Sequence, residues 1–392
     1  MEKIFNLGNL VYLSILMLPF YLLKVSFFGI PSNAFEVLAF FCLIWFLIQS
    51  RSFKIALSDY RTYFIPIGVI MVGLLFSTLF NGSYRIGFGI IKGWFAIPLL
   101  FAWVAVETLK AKEIFRALYA SSFVVTVVSL LHFILGRITY DGRLEAIYNS
   151  PNYLAMYLAP AVVIGIWFWT DNKKYYNLSL VLIVFSLYLT FSYATWMAVF
   201  LAIAAGFVFE KREFFRNKKI ALILVLILAA FLFQLGTSKM DSLLKMEERS
   251  SFSSRIMIWS SAAKIISDNP IWGIGPGNFQ NKYLEYQKHF PPYLEWAVPQ
   301  PHNIFLAFWL QAGFLGLAGF VSLLFLWFKE LWRGSKREIQ MISGSIMIYI
   351  LLHGLVDTTY FKNDLAVVFW LIFFVAIKKP RSQEQGFLLE EA

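Results

Sequence analysis

The sequence has almost none of the residues that build redox centres, and little charge. Its single cysteine, Cys42, lies inside an apolar run, so neither a disulfide framework nor a cysteine-based zinc site is available, and redox chemistry is not expected. Charged residues make up 15% of the chain and hydrophobic residues 59%, against roughly 25% and 45–50% in a soluble domain. That balance leaves no room for a soluble catalytic domain. A P-loop, a zinc-binding H-E-x-x-H and a G-x-S-x-G elbow are all absent, so the chain has no visible means of drawing energy from ATP, and no cofactor or metal is expected. Trp272-Gly273-Ile274-Gly275-Pro276-Gly277 is only superficially a dinucleotide loop. No strand precedes it and Pro276 interrupts it, so it reads as a tight turn between loop helices.

What the chain has instead is long apolar runs. A bilayer core of roughly 30 Å takes about 20 mostly apolar residues per helix. Breaks at charged and Pro/Gly/Asn clusters divide the sequence into spans near 8–27, 34–49, 63–80, 88–106, 115–135, 152–170, 177–191, 194–209, 219–236, 302–328, 339–357 and 364–377. The fold class expected is all-α, a polytopic transmembrane bundle of about twelve spans. The apolar run in the first thirty residues is too long for a signal peptide and no small-x-small cleavage site follows, so it is expected to stay as the first helix. The organisation expected is spans one to nine over 1–236, a loop over 237–301, spans ten to twelve over 302–379 and a polar tail without fold from 380.

The net charge of +11 does not point to nucleic acid, because the basic residues are scattered between apolar spans as membrane topology requires. With the N-terminus cytoplasmic, 21 of the 34 basic residues fall on inner segments, which puts both termini in the cytoplasm and the 237–301 loop on the periplasmic side. Within that loop Ser251 or Ser253 can cap an amphipathic helix carrying Ile256, Trp259, Ala263 and Ile266 at helical spacing, ended by Asp268-Asn269-Pro270.

Ionisable groups inside a membrane are costly and usually functional. Glu36, Lys92, His132, His353 and Asp357 all fall near the outer ends of their spans, beside the outer-facing Arg143, Arg255 and His302. A secondary transporter would place such groups near the midplane, in matching halves of an internal repeat. The pattern favours chemistry or binding on one face.

Each candidate has a plain reading as well as a functional one. Arg143, ahead of the Asn149-Ser150-Pro151-Asn152 turn, is either a snorkelling interfacial arginine or an anion-binding group beside a helix N-terminus. Arg255 is either a solvated helix-face residue or a guanidinium that clamps a diphosphate bidentately without metal; Lys245 and Arg249 are further candidates for that task. His302, opening the tenth span with Asn303, is either an interfacial polar residue or a catalyst. His353 and Asp357 stand four residues apart, a spacing that suits a pair on one helical face.

The order of these pieces, Arg143…Asn152, then Ser254-Arg255…Trp259…Pro270…Gly273-Ile274-Gly275, then Pro301-His302-Asn303…Gly313…Gly316, then His353…Asp357, resembles the O-antigen ligase and polymerase superfamily over roughly residues 140–360. The resemblance implies a metal-independent, inverting glycosyltransferase of the bacterial inner membrane that takes a glycan from undecaprenyl diphosphate at the periplasmic face. It also implies that arginines like Arg143 and Arg255 hold the diphosphate, while the histidine matching His302 acts on the acceptor hydroxyl or otherwise in catalysis. Asn152, Tyr193, Asn303, His353 and Asp357 complete the expected substrate contacts. One departure stands out: Ser192-Tyr193-Ala194 occupies the place where many relatives carry Ser-Arg-Gly or Ser-Arg-Ala, so one cationic contact of the family pattern is missing. A ligase would transfer the finished glycan to lipid A-core oligosaccharide, a polymerase to a second lipid-linked repeat unit. A flippase or transporter of lipid-linked glycan is the alternative of a different class, and it predicts midplane ionisable groups. Arg143, Arg255 and His302 are expected to form one site despite their separation in sequence.

Overall fold

The computed structural model describes residues 6–27, 30–49, 58–168, 174–209, 232, 251–290, 298–333 and 338–378. Among these, helices dominate, and five are long and apolar enough to cross a membrane: Arg61–Phe80, Tyr84–Thr108, Ala111–Ile134, Pro151–Phe168 and Ile304–Arg333. Shorter apolar helices occupy Leu7–Leu16, Ala34–Gln49, Lys174–Tyr188, Tyr193–Phe209, Glu338–Gly354 and Asn363–Ile377. The chain is a multi-pass membrane protein.

Contacts sort the helix ends into two sets. At one end Tyr60 donates to Glu107, Lys112 pairs with Glu338, the Lys378 ammonium reaches the Val106 carbonyl, and a cavity of about 190 Å³ lies between Asp59, Thr62, Lys329 and Arg333. At the other end the connections 134–151, 188–193, 302 and 354–363 meet, as set out below. Helices joined by a short connection, such as Arg61–Phe80 and Tyr84–Thr108, run antiparallel, while Asn363–Ile377 packs parallel to the second half of Tyr84–Thr108. The helices that stop at the second end are short: Ala34–Gln49 has 16 residues, Glu338–Gly354 has 17 and Asn363–Ile377 has 15. At 1.5 Å per residue they reach about 22–26 Å, whereas Tyr84–Thr108, at 25 residues, reaches about 37 Å. The 355–362 connection meets the Tyr84–Thr108 helix at Gly93 and Trp94, about 14 Å along that helix from its start at Tyr84.

Sequence expectation and structure part at three places. The first helix ends at Leu16 instead of running to 27; Pro19 opens a 3₁₀ turn over Leu18–Leu22, and a small antiparallel hairpin of Lys24–Phe27 with Ile30–Asn33 follows. The span from 302 is not straight. Gly313 sits at φ 66°, ψ −167°, a backbone state that favours glycine, and the chain doubles back there. The rings of Phe308 and Phe320 stack at 3.9 Å, although twelve residues of straight helix would separate them by about 18 Å. The 270s loop closes the bend, with Ile274 N–H donating to the Leu310 carbonyl (2.8 Å) and Phe314 N–H to that of Ile271 (2.9 Å). A side chain at Gly313 would collide with the Ile271 carbonyl. Third, the amphipathic helix Ser251–Asp268 forms and stops where expected, but the face it buries is Met257, Ile258, Ser261, Ala262, Ile265 and Ile266. Ile256 and Ala263 point outward. The reason is tertiary: Ile258, Ala262 and Ile265 pack with Phe279, Tyr283 and Leu310 in a second core.

One irregularity positions the site directly. Within Tyr84–Thr108 the turn Ile91–Ala96 is a π-helix, whose widened ladder releases backbone carbonyls. The Gly93 carbonyl accepts from Asn363 (3.1 Å) and that of Trp94 from Tyr360 (2.8 Å). These bonds fix both sides of the short 355–362 connection, while Lys92 of the same turn pairs with the buried Glu36 at 2.8 Å.

Candidate active site

The 355–362 connection carries Asp357, which is 2% exposed and is the hub of the site. Asp357 Oδ1 lies 2.9 Å from His302 Nδ1 and accepts from the Thr358 N–H at 2.9 Å. Its Oδ2 accepts from Asn152 Nδ2 at 3.3 Å and lies 3.6 Å from Arg255 Nη2. Burial pushes the Asp357 carboxyl up, but His302 and Arg255 outweigh it and hold the group well below the usual carboxylate range. A carboxylate only accepts, so His302 Nδ1 must carry the proton and donate it. With Nδ1 donating, the neutral form of this imidazole has the lone pair of Nε2 as its proton acceptor.

His302 is placed by its neighbours. Its backbone is left-handed (φ 47°), a state histidine tolerates better than branched residues do. Trp259 Nε1 donates to the His302 carbonyl (3.1 Å). Asn303 caps the helix beginning at Ile304 by accepting from the Phe305 and Leu306 N–H groups (2.9 and 3.0 Å), and its amide donates to the Leu355 carbonyl (2.9 Å). The imidazole remains 30% exposed, so an acceptor can reach it.

The two arginines flank this pair. Arg255 donates from Nε to the Val356 carbonyl (2.6 Å) and from Nη1 to Ser251 (3.0 Å), and Nη2 faces Asp357. Three of five N–H groups are thereby directed, and two remain for an anion. Arg143 donates from Nε to the Thr190 carbonyl (2.8 Å) and from Nη2 to Asn152 Oδ1 (2.7 Å), and its Nη1 lies 4.0 Å from Asp141 Oδ2, leaving two. Burial lowers the Arg143 pKa, with Asp141 opposing, yet a guanidinium stays charged at neutral pH. Asn152 thus bridges Arg143 to Asp357, and one continuous network joins Arg143, Asn152, Asp357, Arg255 and His302. Two guanidinium groups and two carboxylates, Asp357 and the more exposed Asp141, 4.0 Å from Arg143 Nη1, make up the charge of the site.

The remaining candidates divide. Tyr193 lies within electrostatic reach of Arg143. His353 does not pair with Asp357 through its ring. Its Nδ1 is 2.9 Å from the Tyr349 hydroxyl and it is 1% exposed; its link to Asp357 is the backbone bond from Asp357 N–H to the His353 carbonyl (2.9 Å). The helix ends at Gly354, so the four-residue spacing does not hold the two side chains on one face, and His302 takes the carboxylate instead. Lys245 and Arg249 lie outside the described residues. His132 stands apart, in the last turn of Ala111–Ile134. Among the described residues no three His, Cys, Asp or Glu side chains converge as metal ligands. The backbone acceptors on Thr190, Ser251 and Val356 carry no side-chain signal that sequence reading could use.

No curated protein matches the chain. Residues 178–321, a segment that contains Tyr193, Arg255 and His302, match the family model described as O-antigen ligase.

Proposed function

We propose that the chain is an inner-membrane O-antigen ligase that transfers a glycan from undecaprenyl diphosphate to lipid A-core oligosaccharide at the periplasmic face. The observation that carries this reading is the convergence of His302 and Arg255 on one buried carboxylate. The acceptor hydroxyl gives its proton to His302 Nε2 while its oxygen bonds to the anomeric carbon from the face opposite the leaving group. The bond from that carbon to the phosphate oxygen breaks, and undecaprenyl diphosphate departs with the electron pair. Arg255 and Arg143 neutralise the charge that develops on it, and Asp357 keeps His302 in the tautomer that accepts. The configuration inverts because displacement is direct.

The charge pattern supports this orientation. Arg61, Lys110, Lys112, Arg116, Lys329, Arg333 and Lys378 cluster at the end opposite the site, and basic residues favour the cytoplasmic side. A site at the helix ends suits a donor whose lipid lies in the bilayer and whose diphosphate sits at its surface. The polymerase reading uses the same residues and differs only in the acceptor.

Purified protein supplied with lipid-diphosphate-linked glycan tests the proposal. Transfer to lipid A-core should proceed without nucleotide and in excess chelator. Transfer only to a second donor molecule would identify a polymerase, and activity abolished by chelator and restored by added metal would refute the chemistry.

A further inference from the structure

At the end of the bundle away from the arginine and histidine network, the helices Arg61–Phe80, Ile304–Arg333 and Asn363–Ile377 surround a cavity of about 190 Å³. Its longest wall comes from Leu326, Lys329, Glu330 and Arg333, whose spacings of three and four residues put them on one face of the helix that ends at Arg333. Asp59 and Thr62, at the start of the neighbouring helix, face them across the opening. Close packing deeper in the bundle fixes these walls. A side chain at Gly319 would meet the Pro66 carbonyl, and Trp327 Nε1 donates to the Phe373 carbonyl (3.0 Å). Tyr63 and Ile377 are buried and close the floor, whereas Lys329, Glu330 and Arg333 are exposed and Asp59 is half-buried.

Two cations and two carboxylates therefore line one small space, yet among the described residues none of the four closes an ion pair. The Lys329 ammonium has the Phe325 ring at 5.9 Å. A simple anion would be drawn to Lys329 and Arg333 and repelled by Asp59 and Glu330, and a simple cation would meet the reverse. A group that carries both signs a few bonds apart complements all four. The volume is several times the roughly 30 Å³ that one water takes up in the liquid, so it suits a group of several atoms and not a single ion. Depth in the membrane indicates where such a group comes from. Phe325 and Trp332 are exposed on the same helix, as are Phe64 and Ile65 on its neighbour. In a chain that crosses a bilayer, apolar side chains turned outward meet lipid, and tryptophan gathers at the headgroup level. The lining residues fall between Phe325 and the helix end at Arg333, which is the layer of phospholipid headgroups.

We propose that this cavity binds the headgroup of a zwitterionic phospholipid with a primary ammonium, its phosphate held by Lys329 and Arg333 and its ammonium by Asp59 and Glu330. The carboxylates and the Thr62 hydroxyl accept N–H hydrogens, which a trimethylated nitrogen lacks. A quaternary nitrogen is recognised by open aromatic faces, and the one aromatic ring of the lining, Tyr63, is buried against Phe373 at 5.1 Å. The bound lipid bridges the ends of Arg61–Phe80 and Ile304–Arg333. The site stands apart from the proposed transfer chemistry and does not depend on it.

The test compares phospholipids with identical acyl chains and ethanolamine, choline or glycerol heads, each titrated against the delipidated full-length protein in detergent and read by native mass spectrometry. The ethanolamine lipid should bind about tenfold or more tightly than the choline lipid, as expected for hydrogen bonds to charged groups. It should also outbind the glycerol lipid, which brings no cation to Asp59 and Glu330. Asp59→Asn combined with Glu330→Gln should reduce the ethanolamine lipid to the level of the choline lipid. Lys329→Gln combined with Arg333→Gln should weaken both, because the phosphate is common to them. Melting temperatures check folding, and if a double variant fails to fold its single substitutions decide by the same comparison. Equal binding of the three lipids, tighter binding of the glycerol lipid, or an ethanolamine preference that survives the carboxylate substitutions would overturn the site. Free phosphoethanolamine that displaces the lipid at equal concentration would overturn the lipid assignment, since the ligand would then be a soluble one.

Discussion

Asp357 and Asp364 share one short stretch of chain and nearly the same burial, yet their surroundings are opposite. Asp357 receives an imidazole, an amide, a backbone N–H and a guanidinium, so its charge is matched and its oxygens are full. Asp364 accepts from the Leu365 N–H (2.9 Å), has the Tyr148 hydroxyl directed at it, and closes no ion pair among the described residues. A saturated buried carboxylate fixes the groups around it, because moving any of them exposes a charge. A buried carboxylate whose charge is not matched by an ion pair adds little to the fold.

The largest effect that sharpens this contrast is Asp357→Asn. Losing the carboxylate removes the tautomer control of His302 and leaves Arg255 unmatched. Transfer should fall by about 10²–10⁴ and the melting temperature should drop, since breaking a buried ion pair costs about 3–5 kcal/mol. Asp364→Asn should do the opposite to stability, leaving the melting temperature unchanged or raising it, because a buried carboxyl short of partners is itself unfavourable. Equal destabilisation by both substitutions, read by thermal melting, would erase the distinction.

Arg255→Lys comes next. The ammonium keeps the charge but cannot bond Val356 and Ser251 and still present two N–H groups to an anion. Donor-lipid affinity should weaken by about 10- to 100-fold, the usual range for hydrogen bonds to a charged group, with the melting temperature little changed. Wild-type affinity in a titration with the bare diphosphate lipid would take Arg255 out of donor binding.

The smallest expected effect is an absence of pH dependence. The depressed pKa of Asp357 contributes stability that is fully present above its unfolded value of about 4 and is lost as pH falls through the lower folded value. The melting-temperature difference between wild type and Asp357→Asn should therefore be the same at pH 5 and pH 8, narrowing only below about pH 4. A difference that already shrinks between pH 7 and pH 5 would mean that Asp357 titrates near neutrality and does not hold His302 as described.

Much of this was legible in the sequence, and the failures have physical causes. Helices fall where the apolar runs are, as at Ala34–Gln49, because membrane burial is decided by composition alone. Arg143, Arg255 and His302 could be singled out because charge is rare near the ends of apolar runs. The bend at Gly313 was not legible: a glycine in an apolar helix reads the same whether it permits packing or a turn, and the carbonyl of Ile271 that settles the matter comes from another part of the chain. The partner of Asp357 was missed because the four-residue spacing to His353 assumes a helix that has already ended.

The most direct test of the central claim, that Arg143, Arg255 and His302 act as one site organised by Asp357, is the behaviour of His302→Ala. Donor-lipid binding and single-turnover transfer should be measured on the same preparation. The imidazole serves the acceptor and not the diphosphate, so binding should stay within about twofold of wild type while transfer falls by about 10²–10⁴. Transfer at the wild-type rate, or a loss of binding as large as the loss of transfer, would contradict that division of labour.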